Sequence, residues 1–138
     1  MSPEIAATLW VALGGGLGGI LRYAIERAVT RFTGKGFPWG TLLVNVAGSF
    51  LIGYVGFPAL AEVSTGSAAP DLRFLVAVGV FGGFTTFSCF SLEVLDLIRA
   101  GAIVRAGAYV LGSVTLGLAA AALGLILGST AILAQTGG

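Results

Sequence analysis

The chain has no histidine and a single cysteine, Cys89. These gaps exclude a Cys/His metal cluster and a disulfide within one chain, and they remove the side chain most used as a general base. Charge is scarce as well. Only 9% of residues are Asp, Glu, Lys or Arg, against about 25% in a soluble domain. A chain of 138 residues has much surface for its volume, and too few polar side chains are present to cover it. The net charge of +1 offers no basic face for nucleic acid.

Apolar residues and glycine fill the chain instead, at 57% and 23 of 138 positions. A helix needs ~20 mostly apolar residues to cross the hydrocarbon core. Four such segments lie at about 5–29, 39–61, 72–98 and 106–133. They predict an all-α membrane protein, one transmembrane domain of four helices with the lipid bilayer as solvent. Polar links at 30–38 and 62–71 and a tight one at 99–105 join them. The start Met1-Ser2-Pro3-Glu4 has no basic run, so the first segment is expected to be a retained helix rather than a cleaved signal peptide.

Several small residues recur four apart: Gly15 and Gly19, Ser49 and Gly53, Ser113 and Gly117, Gly124 and Gly128. In lipid this spacing lets helix backbones approach closely. It predicts a tight bundle or dimer rather than a chemistry. Alternating helices would put Arg27, Arg31, Lys35, Arg99 and Arg105 on one side, with Arg22 just inside the first helix and only Arg73 opposite. Basic links stay in the cytoplasm, so this bias places both termini outside it.

The third segment carries Gly82-Gly83-Phe84-Thr85-Thr86-Phe87-Ser88-Cys89-Phe90-Ser91 near its middle. Paired glycines followed by paired threonines weaken a helix. A helix broken at membrane depth frees backbone groups that need protein, water or an ion. The pattern fits either a kink satisfied by hydroxyls or an ion site. Phe87 and Phe90 share a helical face beside Ser88 and Ser91. Their positive ring edges can line an anion path, or the rings can face lipid or core. Thr41, Asn45 and Ser49 form a polar stripe on the second helix, and Tyr109 and Ser113 form one on the fourth. Asn45 can donate to an anion or tie two helices together. Among the intramembrane charges, Arg22 and Glu26 are spaced to pair, although Arg22 can also snorkel or face a vestibule. Glu93, one turn beyond Phe90, needs a donor or a water-filled cavity.

Together the stretches 15–23, 40–50 and 82–93 resemble the Fluc family of fluoride ion channels, in segment order and over nearly the whole chain. The string Gly82 to Ser91 with Glu93 following is the specific part. The resemblance implies an antiparallel, dual-topology dimer of four-helix subunits, each with its third helix broken, enclosing two fluoride pores. It implies a central structural Na⁺ held by the carbonyls of Gly82 and Thr85 from each subunit. The family's pore residues fall on Asn45, Phe87, Ser88, Phe90, Tyr109 and Ser113. Thr41 joins them on the Asn45 stripe, Glu93 is the acidic residue after the break, and Arg22 is the vestibule arginine. The implied role is passive fluoride export across the cell (inner) membrane by a multi-pass protein that confers fluoride resistance and is not an enzyme.

Fluoride holds water tightly, so a pore must offer donors in exchange, and many weak sites favour passage over trapping. Three features depart from the family pattern. Cys89 stands where threonine is frequent, Gly117 replaces a hydroxyl that some members have, and the basic bias is strong for dual insertion. The partner subunit is therefore either a second copy or an oppositely inserted relative. Two rivals are a proton-coupled small multidrug exporter and a non-transporting subunit of a membrane complex. The first lacks a carboxylate deep in the first helix, and the second leaves Asn45 and the interrupted helix without a purpose.

Overall fold

A computed structural model describes residues 3–56 and 72–136, with side chains over 5–56 and 77–131. The anticipated link at 62–71, the end of the second segment at 57–61 and the Arg73 side chain lie outside the described residues. Among the described residues all regular structure is helical: α1 (Pro3–Thr33), α2 (Trp39–Leu51, continued by a wider π-type turn Ile52–Gly56), α3 (Leu72–Phe84), α4 (Phe87–Arg99) and α5 (Ile103–Thr136). Four stretches are long and apolar enough to cross a membrane: Ile5–Thr33, Trp39–Gly56, Ala77–Arg99 and Ile103–Ala131.

Helix ends follow backbone chemistry more closely than hydropathy. α1 runs through Thr30–Thr33, which hydropathy assigns to a polar link, and stops where Gly34 takes φ +77°. α4 ends in a Schellman motif. Gly101, at φ +72°, donates its amide to Ile98 O at 2.9 Å, and Ala102 N donates to Leu97 O at 2.9 Å. Both glycines occupy the left-handed conformation that side chains disfavour. The link to α5 is therefore only three residues, 100–102. Arg105 Nη1 donates to Gly36 O at 3.1 Å, which brings the first and third links together at one end of the bundle with their basic residues.

Burial is inverted relative to a soluble protein. Large apolar side chains point outward, including Leu13, Leu17, Ile20, Leu111 and Leu118. Most buried positions are small or polar, among them Gly18, Gly48, Gly53, Thr41 and Tyr109, while Val44 and Phe84 are large apolar side chains buried among the described residues. α1 packs chiefly on α3, and α2 chiefly on α5. Where α1 meets α3, a Cβ on Gly18 would collide with the Val80 backbone, and one on Gly83 with the Gly15 backbone. Where α2 meets α5, a Cβ on Gly53 would strike Ala121, and one on Gly124 would strike Phe50. Lipid supplies no hydrophobic force between helices, so backbone-to-backbone contact holds them together. Of the four-residue spacings, Gly53, Gly124 and Gly128 stand at such contacts, whereas on α1 the tight position is Gly18, and a Cβ on Gly15, Gly19 or Gly117 would meet its nearest neighbour only at 3.8, 4.0 or 3.6 Å. Gly79 and Gly83 form the partner row on α3, at the same spacing.

Gly83→Leu is expected to destabilise the bundle by about 3 kcal/mol or more through overpacking. Gly107→Ala, whose Cβ would meet nothing within 4 Å, should be neutral or stabilise by about 0.5–1 kcal/mol. Unfolding midpoints in detergent check both.

Candidate functional site

α3 and α4 are separated by Thr85 and Thr86. Thr86 is extended, with φ −149° and ψ 123°, and caps α4: its Oγ1 accepts from Cys89 N at 3.2 Å. A threonine directly before an amphipathic run is a helix-start signal, yet the sequence marks Thr86 only as one of two threonines that weaken a helix, not as a cap or a site residue. Asn45 on α2 holds the same residue from across the interface. Its Oδ1 accepts from Thr86 N at 2.8 Å, and its Nδ2 donates to Thr86 O at 2.9 Å. The amide thus acts as a one-residue neighbouring strand for the one extended residue. The tie between helices is real, and one Nδ2 hydrogen remains for another acceptor. Gly48, one turn later, lies against Thr85 and Phe84, where a Cβ would not fit.

Asn45, Phe87, Phe90 and Ser113 come together around a cavity of about 310 Å³ that Ser49 and Thr86 also line. The rings of Phe87 and Phe90 are 5.7 Å apart and inclined at 40°. Phe87 is 79% exposed, so in the single chain its ring forms an open wall rather than core. Ser113 Oγ is buried with no hydrogen-bond partner among the described residues. Elsewhere on α5, Thr115, Ser129 and Thr130 bond back to carbonyls of their own helix. A buried orphan hydroxyl is costly, and this one borders the cavity. Ser88 is not brought to this cavity. It is exposed, with its hydroxyl 3.2 Å from Thr86 Oγ1.

Thr41, Glu93 and Tyr109 form a second group. Thr41 Oγ1 donates to Glu93 Oε1 at 2.7 Å, and Tyr109 Oη donates to Oε2 at 2.7 Å. Each oxygen of the Glu93 carboxyl thus has a donor, one from α2 and one from α5, which offsets the cost of holding the group among apolar helices. The Phe90 ring lies 5.2 Å from that of Tyr109 and joins the two groups. Glu93 also borders a vestibule of about 760 Å³ with Glu26, Arg27, Arg31 and Lys35. Arg22 does not pair with Glu26. Its Nε donates to Gly83 O at 3.4 Å and its Nη1 to Cys89 Sγ at 3.5 Å, so its charge rests against the junction of α3 and α4. Glu26 Oε1 is left buried without a partner among the described residues.

A family model described as CrcB-like protein, Camphor Resistance (CrcB), matches residues 9–125. The chain belongs to this CrcB-like family. Relatives named "Fluoride-specific ion channel FluC" match along nearly their full lengths. One from Thermus thermophilus is 48% identical over 124 residues, 90% of this chain and 96% of its own. Those from Opitutus terrae and Rhizobium etli are 48% identical over 118 residues and 45% over 121, covering 86% of this chain and 89% and 93% of their own. The family is one of ion channels, not enzymes, and the chain is a multi-pass protein of the cell membrane.

Tyr109→Phe removes one of the two donors to Glu93 and is expected to cost about 1.5–3 kcal/mol. A double-mutant cycle with Thr41→Val, read by unfolding free energies, should show that the two changes are not additive.

Proposed function

We propose that the chain is a fluoride-selective channel that lets fluoride leave the cell passively, working as an antiparallel dual-topology dimer with two pores. The observation that carries this reading is the cavity at Asn45, Phe87, Phe90 and Ser113, with the buried, partnerless Ser113 hydroxyl at its edge. The family relatives named as fluoride-specific channels supply the ion. A hydroxyl without a carbonyl acceptor is free to donate to an anion, and the spare Asn45 N–H adds a second donor. Phe87 and Phe90 contribute ring edges, which are weak donors spaced along the path. The open Phe87 face calls for a second subunit to complete the wall. Arg22, bonded to carbonyl and thiol acceptors and close enough to Glu26 for the two charges to act on one another, adds positive potential beside the path and favours anion entry. Arg27, Arg31 and Lys35 do the same at the vestibule. Thr41 and Tyr109 act through Glu93, whose two donors they are, so fluoride reaches them only by competing with that carboxylate. Ser88, exposed beside Thr86, joins the path only at the face that the partner subunit covers.

The same reading includes a structural Na⁺ at the dimer centre. The residues present fit it. No group of three or more His, Cys, Asp or Glu able to hold a metal occurs among the described residues, so a cation here needs backbone oxygens, as at other interrupted membrane helices. The amides that would reach the carbonyls of Gly82 and Thr85 in a continued helix, Thr86 N and Cys89 N, are bonded elsewhere. Gly82 is exposed, with nothing within 4 Å of its Cβ position, so its surroundings are open to a second subunit. A bound cation would add positive potential to both pores.

Purified protein in liposomes should release fluoride to an ion-selective electrode while retaining chloride. Absence of fluoride release from well-folded dimer would overturn the homodimeric form and point to a different partner subunit. Ring contacts of about 0.5–1.5 kcal/mol each imply that Phe87→Ile or Phe90→Ile slows release by roughly tenfold without dissolving the dimer. A tag on the C-terminus should be accessible from both sides of the membrane. Accessibility from one side alone would contradict dual topology.

A further inference from the structure

Two carbonyls at the junction of α3 and α4 lose their helical donors to side chains. In a continued helix Thr86 N would bond Gly82 O, and Cys89 N would bond Thr85 O. Thr86 N is instead held by Asn45 Oδ1 at 2.8 Å, and Cys89 N by Thr86 Oγ1 at 3.2 Å. Asn45 Nδ2 secures the arrangement through Thr86 O at 2.9 Å. The intervening Gly83 carbonyl is covered differently, by Arg22 Nε at 3.4 Å. Thr86 is nearly buried, so solvent does not compete for these bonds.

We propose that Asn45 and Thr86 are the positioning residues of the cation site: by capturing two amides they select the oxygens of Gly82 and Thr85 for presentation. This rests on the structural-cation reading above. The junction is then built by the protein before any cation arrives, and the cation binds a pre-formed set of oxygens. Thr86 is a positioning residue, since its own side chain faces an amide rather than the ion. Asn45 and Thr86 also border the cavity beside Phe87 and Phe90, so the same two side chains serve the cation site and the anion wall.

The test is the Na⁺ concentration that half-maximally protects the purified protein from thermal unfolding, with N-methylglucamine holding ionic strength constant. Thr86→Val keeps the shape but loses the cap. It is expected to raise that concentration about tenfold, as loss of a helix cap and its hydrogen bond implies. Thr86→Ser should restore the wild-type value, and Asn45→Leu should behave like Thr86→Val. If the wild-type protein responds to Na⁺ and Thr86→Val responds identically, the positioning role is overturned while the cation reading stands. A wild-type protein indifferent to Na⁺ overturns both. Hydrogen exchange on the wild-type protein gives an independent readout that needs no variant. The amides of Thr86 and Cys89 should already be protected without Na⁺ and should gain no more from Na⁺ than amides elsewhere in the bundle. Protection that appears only when Na⁺ is added would mean that the cation builds the junction, and would sink the proposal.

Discussion

A helix that stops inside a bilayer must give its released amides and carbonyls to something other than water, because an unpaired backbone group in hydrocarbon costs several kcal/mol. In this chain the requirement is met by the pair of hydrogen bonds between the Asn45 amide and Thr86, with the Thr86 hydroxyl capping the helix that follows. The rest of the site depends on that solution. It sets where α4 starts, and hence the face on which Phe87 and Phe90 stand. It also frees the oxygens of Gly82 and Thr85, and brings α2 close enough for Gly48 to lie against Thr85.

Close approach is what makes such short hydrogen bonds between helices possible. The glycine rows on α1, α3 and α5 remove the side chains that would hold backbones apart, and the gain is van der Waals contact rather than hydrophobic burial. Polar groups then carry much of the specificity of assembly. Glu93 ties α2 and α5 through Thr41 and Tyr109, and Asn45 ties α2 to the junction of α3 and α4. Both ties border cavities. A bundle held by polar ties thus has polar side chains already in place along its inner surfaces.

Much of this is legible in the linear order of residues. Four apolar runs correspond to the four stretches long enough to cross a membrane, the Gly-Gly/Thr-Thr stretch falls where α3 gives way to α4, and some of the small-residue spacings fall at close backbone contacts. The true partner of Arg22 is not legible. Its spacing from Glu26 permits an ion pair, but Arg22 reaches Gly83 and Cys89 on another segment. Thr86 is legible as one of the paired threonines but not as a cap, because a cap looks like any other threonine until the helix start is known. Ser88 and Ser113 carry the same hydroxyl, yet one is exposed and the other is buried without a partner among the described residues.

The sequence by itself determined that the chain is built for lipid, that four segments are long and apolar enough to cross it, and which family motif it bears. These follow from composition and period, which are set by side-chain chemistry along a single strand of text. Only the tertiary structure decided what each polar group is bonded to: Asn45 to the Thr86 backbone, Thr41 and Tyr109 to Glu93, Arg22 to the junction rather than its own helix. A hydrogen bond is a matter of a few tenths of an ångström between residues about 16 to 67 positions apart. Spacing within one helix cannot specify that, because it depends on how closely the glycine faces let the helices meet.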